Sequence, residues 1–214
     1  MSIAEKLTAV AENQQKVYDA GVAAGQMQGG YDQGYTDGQT AEYDRFWDAF
    51  QDNGNRIEYN KSFCYWRDEV YNPKYPIVCS GNITSANAMF DSSTITDTRV
   101  PITLNNCYAD NTFVRCYSLV TIRKLILNGV GRFQNTFVGC SKLENITIEG
   151  SIDVNFDISA TAVLTNESVQ SIIDHLKDLT GATTQTLTFH ADVGAKLTDE
   201  QKASITAKNW NLVY

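Results

Sequence analysis

The residues of this chain that could do chemistry are few. They are two histidines, His175 and His190, five cysteines, and two adjacent carboxylate pairs, Asp68/Glu69 and Asp199/Glu200. General acid–base cleavage of a glycoside needs two carboxylates facing each other at about 5 to 9.5 Å. Asp199 and Glu200 instead follow Thr198 at the start of a helical pattern, where carboxylates interact favourably with the helix dipole. Asp68 and Glu69 read as a solvated pair. His175 falls on the polar side of an amphipathic pattern, and His190 ends a strand-like run beside Asp192. No Ser-His-Asp order, HExxH or phosphate-binding glycine loop accompanies them. The chain therefore reads as non-enzymatic, with no catalytic residues and no cofactor.

The cysteines are Cys64, Cys79, Cys107, Cys116 and Cys140. An odd number without CxxC spacing is neither a disulfide framework nor a zinc site. Cys116 and Cys140 share a repeat position, so they are expected side by side as small buried fillers. Asp32 to Gly38 has the outline of a calcium loop, but Gly34 and Thr36 stand where carboxylates or amides are needed. No metal site is expected. Aromatic residues crowd another stretch, including Tyr65, Trp66, Tyr71 and Tyr75. They read either as a cap over the end of a stacked fold or as a surface that recognises a glycan or protein.

The elements that must position these residues come from a repeat. Ala88-Met89-Phe90-Asp91-Ser92-Ser93, Thr112-Phe113-Val114-Arg115-Cys116 and Thr136-Phe137-Val138-Gly139-Cys140 are versions of one pattern, with Phe90, Phe113 and Phe137 spaced 23 and 24 residues apart. An aliphatic residue follows each (Ile95, Leu119, Leu143), then a short alternating run: Val100/Ile102/Leu104, Ile122/Leu125/Leu127, Ile146/Ile148. A period in the twenties with one short strand per unit is the signature of a leucine-rich-repeat solenoid, because a single unit cannot bury its apolar face alone. The expected fold is an α/β solenoid with parallel strands, one per coil. Strands at Leu125–Leu127, Ile146–Ile148, Leu187–Phe189 and Leu212–Tyr214 are expected in one sheet, with the three phenylalanines stacked in the core.

Four segments follow from this reading. Residues 1–51 form a helical anchor or stalk, 52–86 an aromatic-rich N-terminal cap, 87–163 the leucine-rich repeats, and 164–214 a helix–strand C-terminal cap. In the first segment Ser2 and Glu5 make a capping box. Ile3, Leu7, Val10 and Val17 fall at heptad spacing, with the polar Gln14 in the same seam. So short a seam is marginal alone. It is expected to self-associate, as a homotrimer, or to dock on another protein. Glycines four residues apart from Gly21 to Gly38 fit a closely packed helix or a tether, and Ala41 to Gln51 fits an amphipathic helix. In the last segment Thr165 starts a helix over Ser168 to Leu179 that Gly181 stops. Thr198 opens a second helix, and Leu187/Phe189 and Leu212/Tyr214 mark strands 25 residues apart.

A net charge of −8 disfavours nucleic acid and anionic membrane surfaces as partners, since both need concentrated basic patches. No apolar run approaches the roughly 18 residues of a membrane span. The opening Met1-Ser2-Ile3-Ala4-Glu5-Lys6 lacks the basic and apolar regions of a secretory leader.

The N-terminal MSIAEKLTAVAENQQKVYDAG, the YDQGYTDG stretch, AEYDRFWDAFQDNGNR, the NTFVRCYSLVTI-type repeats, LENITIEG, and the tail SVQSIIDHLKDLTGATTQTLTFH with AKLTDEQKASITAKNWNL together carry a resemblance. The chain resembles the BspA-like leucine-rich-repeat proteins of phages and prophages of gut Firmicutes over nearly its whole length, most specifically in its terminal blocks. The resemblance implies a solenoid and a role in adhesion, or as a structural and host-recognition part of a virion. It implies no catalytic residues. With three regular coils, the binding surface is expected to be small. Two functions remain on this reading: a phage fibre or other virion appendage, and a bacterial surface adhesin. The missing leader and wall-anchor motif favour the first.

Overall fold

The computed structural model describes Ile57–Glu58, residues 76–79 and residues 85–214, all within one unit, Asn53–Tyr214. Among these residues, strands β1 (Ile57–Glu58), β2 (Ile77–Cys79), β3 (Ile102–Asn105), β4 (Thr121–Asn128) and β5 (Asn145–Gly150) form a parallel sheet in sequence order. A second parallel sheet holds β6 (Phe156–Asp157), β7 (Gln185–Thr188) and β8 (Trp210–Val213). Helix α1 (Asn166–Asp174) connects β6 to β7, and α2 (Ala191–Gly194) and α3 (Asp199–Ala207) connect β7 to β8. The arrangement is α/β, with parallel-strand sheets and few helices.

Pairing follows a nearly constant offset. Ile77 pairs with Ile102, Ile102 with Leu125 and Leu125 with Ile148, steps of 25, 23 and 23 residues. The offset persists between strands: Phe90 N–H donates to Thr112 O at 2.7 Å and Phe113 N–H to Thr136 O at 3.0 Å. Each turn of chain therefore satisfies backbone groups of its neighbour, as burial requires. Ile102, Leu104, Ile122, Leu125, Leu127, Ile146 and Ile148 point inward and are buried. A β-bulge between Ile122 and Leu125 adds one residue to β4, so both face the core despite their odd spacing. Phe90 stacks on Phe113 and Phe113 on Phe137, with ring centroids 5.1 and 5.9 Å apart and nearly parallel planes, as the repeat predicts. Phe156 of β6 then meets Phe137 at 5.6 Å and Phe133 at 5.2 Å, carrying the aromatic core towards the second sheet.

Two sharp bends recur in each of the three turns that carry the phenylalanines. Ala88, Asn111 and Asn135 have φ of 57°, 57° and 54°, and Ser92, Arg115 and Gly139 have φ of 57°, 60° and 87°. Left-handed backbone is uncommon outside glycine and asparagine. Its return at one period is a second record of the repeat, independent of the apolar pattern.

Three expectations need correction. The four strands do not share one sheet: Leu187 and Leu212 pair with each other, as their spacing predicts, but in the second sheet. The first sheet ends because α1 closes its edge. Ile146 N–H donates to Ser168 Oγ and Ile148 N–H to Ser171 Oγ, both at 2.9 Å, so helix side chains take two edge donors that another strand would need. Secondly, α1 is Asn166–Asp174, ending seven residues before Gly181. Ile152 N–H takes His175 O and Lys177 N–H takes Ile152 O, so a parallel bridge captures the chain in extended form. Lys208 Nζ closes the helix end on Ile173 O at 2.8 Å. Thirdly, β1 and β6 are strands that the pattern did not single out.

Candidate functional site

The turn segments 87–92, 110–115 and 134–139 lie one above another. Their inner side is polar yet buried and fully paired. Thr112 Oγ1 bonds Ala86 O and Ala109 O at 3.2 and 2.7 Å, and Thr136 Oγ1 bonds Ala109 O and Phe133 O at 2.9 and 3.0 Å. Cys116 Sγ donates to Phe90 O at 3.0 Å and Cys140 Sγ to Phe113 O at 3.1 Å. The expected fillers are thus also hydrogen-bond donors between turns, and Ser93, 1% exposed, occupies the same repeat position. Burial pushes the Cys140 thiol up to about 12. Cys79 and Cys107 are buried and hydrogen-bonded to each other. That bond and burial push the Cys79 thiol up.

The outer side carries ion pairs that also join successive turns. The Arg115 guanidinium donates to both carboxylate oxygens of Asp91, at 2.8 and 2.6 Å. Hydrogen bonds from Arg115 hold the Asp91 carboxyl below its ordinary 3.8. Arg123 pairs with Asp97 at 2.6 Å. Asp110, almost fully buried, accepts Gln134 N–H at 2.8 Å on Oδ1 and the Arg132 guanidinium on Oδ2.

Two tyrosines, Tyr108 and Tyr117, are 50% and 60% exposed. Tyr108 lies in a row of parallel bridges from Ser85 through Tyr108 to Arg132, and the Arg132 guanidinium sits 5.4 Å from its ring centroid. Each ring rests on a glycine of the following turn. A methyl group on Gly131 would lie 2.9 Å from Tyr108 Cε1, and one on Gly139 would lie 3.0 Å from Tyr117 Cε1. The sequence reading did not single out Tyr108 or Tyr117. The available signal was their spacing, 23 and 22 residues ahead of those glycines.

Among the described residues, the histidines and the carboxylate pair that sequence singled out for chemistry stand at helix ends. His175 caps the end of α1, its Nδ1 2.8 Å from Ser171 O. His190 caps the start of α2, accepting Asp192 N–H. Asp199 and Glu200 occupy the first turn of α3, behind a Thr198–Gln201 capping box. A groove of about 510 Å³ runs between β5 and α1, lined by Glu149, Glu167, Gln170, Ser171, Asp174 and His175 among others. Glu149 is paired with Lys124 at 2.5 Å and Asp174 accepts Gln170 Nε2 at 2.7 Å. Among the described residues, no three His, Cys, Asp or Glu side chains are grouped to hold a metal ion, and no helix is long and apolar enough to cross a membrane.

Other candidates lie outside the described residues. These are the seam Ile3, Leu7, Val10, Gln14 and Val17, the aromatic set Tyr65, Trp66, Tyr71 and Tyr75, the pair Asp68/Glu69, and the stretch from Gly21 to Gln51. No family model, curated protein or solved structure matches the chain.

Proposed function

We propose that this chain is a short leucine-rich-repeat solenoid of the BspA-like kind. It serves, without enzymatic activity, as a surface appendage of a phage particle, a fibre or comparable part, that contacts the host. Residues 1–51 hold it to the particle through Ile3, Leu7, Val10, Gln14 and Val17, three copies together or against another virion protein. The repeat body meets the host surface.

One observation carries the solenoid reading: strand pairs, turn hydrogen bonds, the phenylalanine column and the left-handed positions share an offset close to 23–25 residues. Such a stack offers a ridged, ion-paired surface, suited to recognition by contact. The resemblance of the terminal blocks supports the virion role. The same surface would also serve a bacterial adhesin, the second reading.

An antibody against the repeat body, applied to purified particles and to intact host cells, separates the two. The virion reading expects label on particles at fixed positions. Label confined to cells in the absence of particles overturns it in favour of the adhesin.

A further inference from the structure

We propose that Tyr108 and Tyr117 are stacking platforms for a neutral saccharide, with Arg132 beside Tyr108 supplying hydrogen bonds to its hydroxyl groups. The inference rests on the attachment role proposed above and names the ligand class and residues for it. Its observations are the exposure of both rings, their seating on Gly131 and Gly139, and the polar groups around them.

A pyranose ring presents a flat face of C–H bonds and a rim of hydroxyls. Its counterpart is a rigid, half-exposed aromatic face flanked by donors and acceptors. Tyr108 and Tyr117 meet that description. The glycine backbone beneath each ring leaves room for the ring to lie against the next turn, so little side-chain freedom remains to be lost on binding. Neither hydroxyl has a hydrogen-bond partner among the described residues. Arg132 is oriented by almost fully buried Asp110, yet its own side chain is 55% exposed.

The surroundings favour a saccharide over a protein partner. Protein interface cores are depleted of charged residues, and their central anchors sit in desolvated pockets. Here Tyr108 lies beside the Arg132–Asp110 ion pair, and Tyr117 closely follows Arg115, which pairs with Asp91. A protein would have to desolvate these pairs, whereas a sugar can hydrogen-bond to them while they stay wet. With Asp110 balancing Arg132, the site favours a neutral ligand over an acidic one.

The test uses the full chain free of particles, so its result is independent of where the protein resides in a virion. Neutral hexasaccharides of glucose, galactose, rhamnose and N-acetylglucosamine are immobilised separately, and binding is measured to each. Retention on at least one is expected. Tyr108→Ala and Tyr117→Ala should each weaken it about tenfold, the scale of one lost stacking partner, with unchanged melting temperature. Tyr108→Phe should bind within about twofold of the parent, because the face remains. Gly131→Ala, which pushes the Tyr108 ring off its seat without removing it, should weaken binding as Tyr108→Ala does. No retention on any of the four, or equal retention by parent and both alanine variants, overturns the proposal. Antibody location on particles reports separately on the appendage reading.

Discussion

Single side chains inside the turns work as rungs between neighbours. Thr112 is fully buried and its hydroxyl holds carbonyls in its own turn and the one before. Thr112→Val keeps the shape and removes those bonds, so chemical denaturation should show a loss of about 1–3 kcal/mol. Cys140 makes a prediction in pH. Its folded value of about 12 lies above the ordinary 9.0, so the neutral thiol is favoured in the fold. The associated stability is fully present below pH 9 and lost as pH rises towards 12. Parent protein should therefore lose stability more steeply across that window than Cys140→Ala, and a thiol reagent at pH 8 should modify Cys140 only after unfolding. Equal pH dependence in the two would refute this. Ala88 carries a different cost. At φ 57° its Cβ is strained, and Ala88→Gly should raise stability by roughly 1 kcal/mol in the same denaturation assay.

Among elements, α1 has the clearest structural task, because it ends the first sheet. Ser168 and Ser171 supply acceptors that a sixth strand would otherwise provide. Ser168→Ala and Ser171→Ala should each cost about 1–3 kcal/mol by leaving a strand N–H unpaired. Ser168→Ala should be the worse, since its hydroxyl also bonds Glu144 O at 3.0 Å. A loss below about 0.5 kcal/mol in both, the range of ordinary surface changes, would contradict the edge-closing role. This device explains what sequence could and could not convey. The strands were legible where inward residues recur, from Ile102 to Ile148, and the bulge left a trace as the Ile122/Leu125/Leu127 spacing. Ser168 and Ser171, by contrast, look like ordinary polar positions on a helix. Phe156 sits in a two-residue strand too short to show alternation. The end of α1 depends on a long-range bridge to Ile152, which no local pattern records. Of the candidate surface, Tyr108 and Tyr117 went unnoticed because periodicity finds buried positions, and theirs is an exposed one.

At the scale of the molecule, stability should be shared along the stack. Phe113 touches both Phe90 and Phe137, so Phe113→Ala should cost about 3–5 kcal/mol. Hydrogen exchange should show weakened protection in the turns on either side, as nearest-neighbour coupling requires. The exposed ion pairs between turns are screened by solvent, so salt should shift the melting temperature little by comparison. The functional account divides the same molecule into an attaching segment and a displayed body. Its most direct test is deletion of residues 1–50, followed by antibody detection of the truncated protein in purified particles and in the lysate. The account predicts a truncated protein that stays folded, melts cooperatively in the lysate and is missing from particles. A folded truncated protein still present on particles at the level of the full chain would contradict it.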